Sequence, residues 1–168
     1  MNDLVYLSLG SNLGDREANL AGAITILGEY PENYNIRSAS FYNSEPIFNT
    51  DQPDFLNTIV ELSSRFTPFE FLDEIGKIEK MLGRPKLRAK NLPRTIDIDI
   101  LTYGDSVLET DKLTIPHPGI QYRRFVLVPF CELAPNFNVP GWNKSVQEML
   151  EICTDKSIVQ KHIMKSNA

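Results

Sequence analysis

Two aspartates within an otherwise apolar β-strand are the feature that most restricts how this chain can fold. The segment between Arg94 and Leu101 is rich in β-branched residues, which favour an extended backbone. Side chains alternate between the two faces of a strand, so Asp97 and Asp99 share one face while the intervening isoleucines share the other. The segment therefore predicts a strand with one apolar face and one acidic face.

The spacing of the two aspartates suits a metal site. With a rise of roughly 3.3 Å per residue, their Cα atoms lie roughly 6 to 7 Å apart, and both carboxylates can reach one or two divalent ions. The alternative is a surface strand whose aspartates simply face water. We favour the metal site because aspartate is depleted in strands, like charges on one face repel, and a basic segment precedes the pair.

This basic segment covers residues 84–94, which include several Arg and Lys and no acidic residue, in a chain of formal net charge -5. Mg²⁺ is commonly held by one or two carboxylates together with substrate phosphates, and Arg side chains pair with phosphate oxygens. The combination predicts an enzyme that uses Mg²⁺ and a nucleoside triphosphate. A solvated loop is the alternative for the central basic residues, whereas Arg84 and Arg94 border ordered structure.

Length and composition exclude several classes of protein. The 168 residues fit one domain, which we expect to span residues 1–168 with a tail that frays after about residue 155. No apolar run approaches the roughly 20 residues of a membrane span, and no signal peptide is evident. The two cysteines lack zinc-type spacing, so we expect reduced thiols in a cytoplasmic protein. The acidic composition argues against a general nucleic-acid-binding protein.

Hydrophobic periodicity and turn residues predict alternating strands and helices. The predicted strands cover residues 3–9, 35–42, 55–66 and 95–100. The predicted helices between them cover residues 15–29 and 67–82. This order predicts an α+β fold with a ferredoxin-like βαββαβ core, an antiparallel sheet with helices on one face, and additional C-terminal helices.

The region after this core carries a second candidate site residue. A hairpin over residues 107–115 is expected to bring His117, which lies between two prolines, back toward the acidic strand. Fixed backbone on both sides suits a side chain that points at a ligand, although a structural hydrogen bond is the alternative. The C-terminal helices are predicted over residues 120–133, with an interruption near Pro129, and over residues 145–153.

Six short motifs lie between about residues 4 and 137. They cover residues 10–14, 51–57, 82–84, 93–101, 116–118 and 125–129. In this order and at this spacing they closely resemble the 6-hydroxymethyl-7,8-dihydropterin pyrophosphokinase family of folate enzymes. The resemblance implies transfer of pyrophosphate from ATP to the pterin hydroxymethyl group, with release of AMP, in a ferredoxin-like fold.

The resemblance also implies roles for single residues. Two Mg²⁺ ions that bridge the triphosphate would bind Asp97 and Asp99, and these two with Arg84 and Arg94 are the expected catalytic residues. ATP would contact Arg84, Arg94, Ile100, His117 and Arg123. The pterin would contact Ser44, Glu45, Ile47, Phe55, Asn57, Asp97 and Phe125. Within that set the two phenylalanines would sandwich the flat ring, and the Asn57 amide would bond its edge.

Two other functions stay open at this point. A different Mg²⁺-dependent phosphotransferase or nucleotidyltransferase would also use paired aspartates, with ADP or free pyrophosphate as product in place of AMP. A non-catalytic ferredoxin-like module for RNA would place aromatic and basic residues on the sheet, whereas an acidic pair repels phosphate unless a metal intervenes. We expect a monomer whose partners are ATP and the pterin, with no nucleic acid and no membrane.

Overall fold

The computed structural model describes residues 3–46, 50–83 and 93–165. Its strands are β1 (Asp3–Ser11), β2 (Asn33–Ser38), β3 (Tyr42–Ser44), β4 (Phe55–Ser64), β5 (Asp97–Tyr103), β6 (Leu108–Glu109), β7 (Thr114–Ile115) and β8 (Val159–Lys161). Its helices are α1 (Arg16–Glu29), α2 (Pro68–Met81), α3 (Arg124–Leu133) and α4 (Val146–Ile152), with a 3₁₀ turn at Ile120–Tyr122. Across these three described ranges, no helix has the length and apolar character needed to cross a membrane.

Six of the strands form one antiparallel sheet. Its order is β5, β1, β4, β3, β8, and β2 also pairs with β4. On one side of β1, Gly10 lies opposite Asn57 of β4. On the other side, Gly10 lies opposite Asp97 and Ser8 lies opposite Asp99 of β5. Since directly opposed residues share a face, Asn57 and the two aspartates lie on the same face of the sheet.

The first core lies between the opposite face and the helices α1 and α2. Leu20 and Phe71 are among the helix residues buried there against strand residues such as Leu7. Ile98 and Ile100, which are 5% and 3% exposed, belong to the same core. The predicted alternation of residues 95–100 is therefore confirmed, with the isoleucines in the core and the aspartates on the other side.

A second core covers part of the face that carries the aspartates. Tyr6, Ile59 and Leu101 of the sheet are buried there with residues of α3 and α4, such as Phe130 and Met149. The two helices of the βαββαβ order thus share one face of the sheet, and the additional C-terminal helices α3 and α4 lie on the other. Leu101 lies on this face because it continues the alternation of Asp97 and Asp99. The pairing of β1 with β5 then shifts register between Tyr6 and Leu7, which leaves one extra residue on β5 and turns Tyr103 into the first core.

The helix boundaries follow from capping side chains. The Thr67 hydroxyl accepts a hydrogen bond from the Glu70 N–H at 3.2 Å and starts α2, as predicted. Gly83 ends this helix with a φ of 90°, which glycine adopts without strain. The predicted interruption near Pro129 is wrong, because α3 runs through it. Pro129 is in the second helical turn, so its missing N–H affects only the bond to the carbonyl four residues earlier.

Residues 155–161 near the C-terminus make hydrogen bonds with β3 and with the start of α3. β8 pairs with β3, with Val159 opposite Ser44. The carboxylate of Asp155 accepts hydrogen bonds from the N–H groups of Arg124 and Ser157, at 2.9 and 3.0 Å. The prediction that the chain frays after about residue 155 is therefore wrong for this segment. A three-residue edge strand gives too short a pattern to be recognised in a sequence.

Asp155 caps α3 from outside the helix, and its removal tests this role. Arg123 at the start of α3 provides no side-chain cap. We expect Asp155→Ala to lower the free energy of unfolding by about 1 kcal/mol near neutral pH, as loss of an N-cap usually does. Urea unfolding of this variant beside Thr154→Ala, an exposed neighbour, measures the difference. Equal unfolding midpoints of the two variants would contradict the cap.

The effect of Asp155 should also depend on pH. Burial alone would raise the pKa of Asp155, but hydrogen bonds from the Ser157 and Arg124 N–H groups outweigh it and hold the pKa below its ordinary value of 3.8. A carboxyl whose pKa is lower in the folded state stabilises the fold above its unfolded pKa and loses this contribution as pH falls. The difference in the free energy of unfolding between Asp155→Ala and the wild-type protein should therefore shrink below pH 3.8.

Candidate active site

One pocket lies on the face of the sheet that carries the two aspartates, beside the second core. Its floor consists of residues from β1, β4 and β5, and its walls come from the segments before β4 and β5 and from the start of α3. The lining residues are Ser8, Gly10, Ser44, Glu45, Pro46, Gln52, Phe55, Asn57, Arg94, Asp97, Asp99, Arg123 and Phe125. Most of the residues that the sequence predicts for ATP or pterin are therefore brought together here.

Asp97 and Asp99 form the acidic end of this pocket. Both are half-buried, and the Asp97 Oδ2 atom lies 2.8 Å from a guanidinium nitrogen of Arg94. Among the residues described, no group of three or more His, Cys, Asp or Glu side chains is arranged to hold a metal. A pair of carboxylates fits an ion such as Mg²⁺, which usually completes its coordination with water and substrate phosphates.

The opposite end of the pocket carries a buried amide. Asn57 and Ser44 are 3% and 5% exposed, and the Asn57 Nδ2 atom donates a hydrogen bond to the Ser44 hydroxyl at 2.6 Å. A Cβ atom on Gly10 would lie 3.2 Å from the Asn57 Oδ1 atom, so this oxygen sits directly beside the glycine backbone. The absence of a side chain at Gly10 therefore leaves the amide open to the pocket.

Two aromatic rings line the pocket, and each is accompanied by an arginine. The Arg94 Cζ atom lies 5.8 Å from the centre of the Phe55 ring, and the Arg123 Cζ atom lies 6.0 Å from the centre of the Phe125 ring. Such distances are within the range of cation–π attraction. Phe125 also packs against the second core, so it serves both the core and the pocket.

His117 lies beside the pocket. Its backbone N–H donates to the Leu101 carbonyl at 2.8 Å, which confirms that the hairpin of β6 and β7 returns the chain to β5. Its Nδ1 atom accepts a hydrogen bond from the Gly119 N–H at 2.9 Å, so a neutral ring carries its proton on Nε2. Burial lowers the pKa of His117, Arg123 lowers it further, and Asp97 acts in the opposite direction.

Three predicted contacts are not part of this arrangement. Ile100 is 3% exposed and its side chain belongs to the first core, on the face opposite Asp97 and Asp99, so this side chain does not line the pocket. The alternation that turns the aspartates toward the pocket turns Ile100 away from it. Arg84 and Ile47 lie outside the described residues.

Asn12 is a site residue that the sequence did not reveal. It is 1% exposed, and its Oδ1 atom accepts a hydrogen bond from the Arg94 N–H at 2.8 Å. Its Nδ2 atom donates to the Gln52 Oε1 atom at 2.9 Å and to the Pro53 carbonyl at 3.0 Å. Asn12 thus joins the segment before β5 to the segment before β4. Asn12 lies in the turn between β1 and α1, and the residue that caps α1 is Asp15, whose carboxylate accepts a hydrogen bond from the Ala18 N–H.

Comparison with known proteins supports the prediction of the family. The model of the 7,8-dihydro-6-hydroxymethylpterin-pyrophosphokinase (HPPK) family matches residues 6–135. A protein of Haemophilus influenzae named 2-amino-4-hydroxy-6-hydroxymethyldihydropteridine pyrophosphokinase is 33% identical over 155 residues, which cover 92% of this chain and 96% of that protein. A protein of the same name from Bacillus subtilis is 35% identical over 164 residues, 97% of this chain and 98% of that protein.

Solved structures share the fold. A crystal structure of HPPK-DHPS from Plasmodium falciparum with pteroate matches with a TM-score of 0.71 at 15% sequence identity, over 90% of this chain and 42% of that chain. An HPPK-DHPS structure in complex with substrates matches with a TM-score of 0.68 at 14% identity, over 90% of this chain and 43% of that chain. The present chain therefore spans less than half the length of these two solved proteins.

Proposed function

The chain belongs to the 7,8-dihydro-6-hydroxymethylpterin-pyrophosphokinase family, and we propose that its pocket is where pyrophosphate passes from ATP to 6-hydroxymethyl-7,8-dihydropterin. The products are AMP and the pterin diphosphate, and the reaction is a step of folate biosynthesis. The observation that carries this assignment of the site is the row of Asp97, Gly10 and Asn57 across three adjacent strands. Asp97 in this row and Asp99 in the next lie on the same face as a buried amide, which supports a phosphate site beside a site for a heterocycle.

The amide end of the pocket suits the pterin. A pterin is flat and has both hydrogen-bond donors and acceptors on its edge. The faces of Phe55 and Phe125 can pack on its two sides, and the Asn57 amide offers both a donor and an acceptor. Ser44 holds this amide in place through the bond at 2.6 Å. Ser44, Glu45 and Asp97 would complete the pterin contacts, with Ile47 as a further candidate from the sequence.

The acidic end suits the triphosphate. We propose that Asp97 and Asp99 hold two Mg²⁺ ions, which would draw negative charge from the phosphate oxygens when bound. Arg94 and Arg123 line the same pocket and can pair with phosphate oxygens. His117 beside the pocket and Arg84, a candidate from the sequence, would add further contacts with ATP. ATP and a metal are thus expected at one end, and the pterin at the other.

The transfer can rest on positioning and electrostatics. In the proposed reaction the hydroxymethyl oxygen attacks the β-phosphorus in line with the departing AMP, so one P–O bond forms as another breaks. Arg94 and Arg123 offset the charge that builds on the phosphoryl oxygens. Asp97 shares its row across the sheet with Asn57, whereas Asp99 lies one row away, so we propose that the Asp97 carboxylate assists loss of the alcohol proton.

We also propose the finer assignment of the fold as a ferredoxin-like domain that spans residues 1–168. The chain order of β1, α1, the β2 and β3 pair, β4, α2 and β5 supports this topology, as does the position of β1 between β4 and β5. We propose further that the chain acts as a cytoplasmic monomer. Its free cysteines support a reducing compartment.

Product analysis tests the proposed reaction. The purified chain is incubated with ATP, Mg²⁺ and the hydroxymethyl dihydropterin, and the nucleotides are separated. We expect AMP in equal amount to the pterin diphosphate, with no product when the pterin is left out. Formation of ADP would indicate ordinary phosphoryl transfer, and free pyrophosphate with a nucleotidylated product would indicate nucleotidyl transfer. Either of these results would contradict the proposal.

A further inference from the structure

We propose that His162, next to the C-terminal strand β8, is a positioning residue for the pterin end of the pocket. The inference rests on the proposed function. His162 does not line the pocket, and its sequence context suggests no role for it. In the structure, its ring nitrogens lie 2.9 Å from the Asn43 Nδ2 atom on β3 and 2.6 Å from a carboxylate oxygen of Glu17 on α1. Its backbone N–H also donates to the Phe41 carbonyl at 2.8 Å.

The surrounding groups fix which nitrogen of His162 carries the proton. The Asn43 Oδ1 atom faces a guanidinium nitrogen of Arg16 at 3.0 Å, and a guanidinium can only donate. The Nδ2 atom of Asn43 is therefore the one that faces His162, and as a donor it requires an acceptor on the ring. The Nδ1 atom of His162 supplies this acceptor, so Nε2 holds the proton and donates it to Glu17. With this tautomer, every hydrogen bond of the series joins one donor to one acceptor.

The chain of hydrogen bonds leads to the pterin end of the pocket. Asn43 is the residue next to Ser44, whose hydroxyl holds the Asn57 amide at 2.6 Å. The same guanidinium nitrogen of Arg16 that binds Asn43 also donates to the Asp54 carbonyl at 3.1 Å, directly before Phe55. A shift of Asn43 would therefore be passed to the amide and to one of the two aromatic rings. The acidic end, on β5, has no bond in this series.

β3 needs support from outside the sheet because it is short. It contains three residues and pairs with β4 on one side and with the equally short β8 on the other. Such a short strand makes too few ladder hydrogen bonds to fix its position tightly. The side chains of His162 and Glu17 are only 16% and 15% exposed, so water competes weakly for their hydrogen bond. The bonds of His162 thus hold β3 against α1.

Two substitutions separate the bonds of His162. Asn at this position places its polar atoms about where Nδ1 lies, and Gln places them about where Nε2 lies. His162→Asn can therefore keep the bond to Asn43, whereas His162→Gln can keep only the bond to Glu17. In steady-state assays with ATP, Mg²⁺ and the pterin, we expect His162→Gln to raise the KM for the pterin by about fivefold to tenfold. We expect the KM of His162→Asn for the pterin to stay within twofold of the wild-type value.

Control measurements show whether the effect is specific to the pterin end of the pocket. The KM for ATP and kcat should stay within twofold in both variants, because the hydrogen bonds that start at His162 lead to β3 and to the segment before β4 and not directly to Asp97 or Asp99. Gln160→Ala, an exposed residue of β8, serves as the matched control for strand stability. Thermal unfolding should show that both His162 variants keep the fold. Pterin binding measured by calorimetry should follow the same order as KM, which a general loss of stability would not produce.

Each other outcome overturns the proposal. An unchanged KM for the pterin in His162→Gln, an equal rise in both variants, or a matching change in the KM for ATP would exclude a role through Asn43. The proposed function has its own test in the same assay, because the unchanged chain must release AMP. Absence of AMP from the unchanged chain would refute the function, whereas normal AMP release with no effect of His162→Gln would refute only this inference.

Discussion

Replacement of Asp99 by Asn is expected to lower kcat by about 1000-fold while the fold stays intact. The amide has nearly the shape of the carboxylate but no charge, so it is a poor ligand for a divalent cation. Asp99 pairs with Ser8 of β1 and turns its side chain toward the pocket, away from the first core. The change should therefore reach the chemistry without a loss of packing. Rate measurements at saturating ATP and pterin give the change in kcat.

The same variant should need more Mg²⁺ for half-maximal activity, and this requirement distinguishes a metal ligand from a residue that only shapes the pocket. Asp111→Asn provides the matched control, because Asp111 is exposed and lies between the short strands β6 and β7. Its kcat and Mg²⁺ requirement should be unchanged. A loss of less than tenfold in Asp99→Asn, with an unchanged Mg²⁺ requirement, would rule out the proposed role of Asp99.

Strand β5, which carries Asp97 and Asp99, could be predicted from its local sequence. The period-two pattern from Ile96 to Ile100 predicted which side chains enter the core, and the structure confirms it because burial of the isoleucines leaves only one face for Asp97 and Asp99. The same rule excludes the side chain of Ile100 from the pocket. The family and its reaction were predicted from motifs spaced along the chain, and the match over residues 6–135 confirms this prediction.

The features that the sequence did not predict depend on contacts between distant residues. The extra residue of β5 that turns Tyr103 into the first core exists only in the pairing with β1. β8 forms a strand through its antiparallel pairing with β3, which lies far from it in the sequence. The backbone of Arg94 accepts and donates hydrogen bonds with Asn12, which lies 82 positions earlier in the chain. Periodicity and capping rules describe neighbours in sequence and contain no information on such pairs.

Asn12→Ala is expected to reduce kcat/KM by about 100-fold although the residue is not placed against either substrate. Its amide bonds the Arg94 N–H on one side and the Gln52 side chain and Pro53 carbonyl on the other. Loss of these bonds frees the segment that positions Arg94 and Asp97 relative to the segment that leads into Phe55. Because a displacement of about 1 Å can cost 10²-fold in rate, misalignment of the two substrates accounts for the expected loss.

The free energy of unfolding should fall as well, by about 2 to 3 kcal/mol, because the partners of a buried amide lose their hydrogen bonds. Asn19→Ala is the matched control, since the Asn19 amide bonds Ser11 and the Leu13 carbonyl in the same turn but reaches neither Arg94 nor Pro53. It should lose stability and keep kcat/KM within threefold. An equal loss of activity in both variants would mean that the turn as a whole, and not the bridge made by Asn12, aligns the two ends of the pocket.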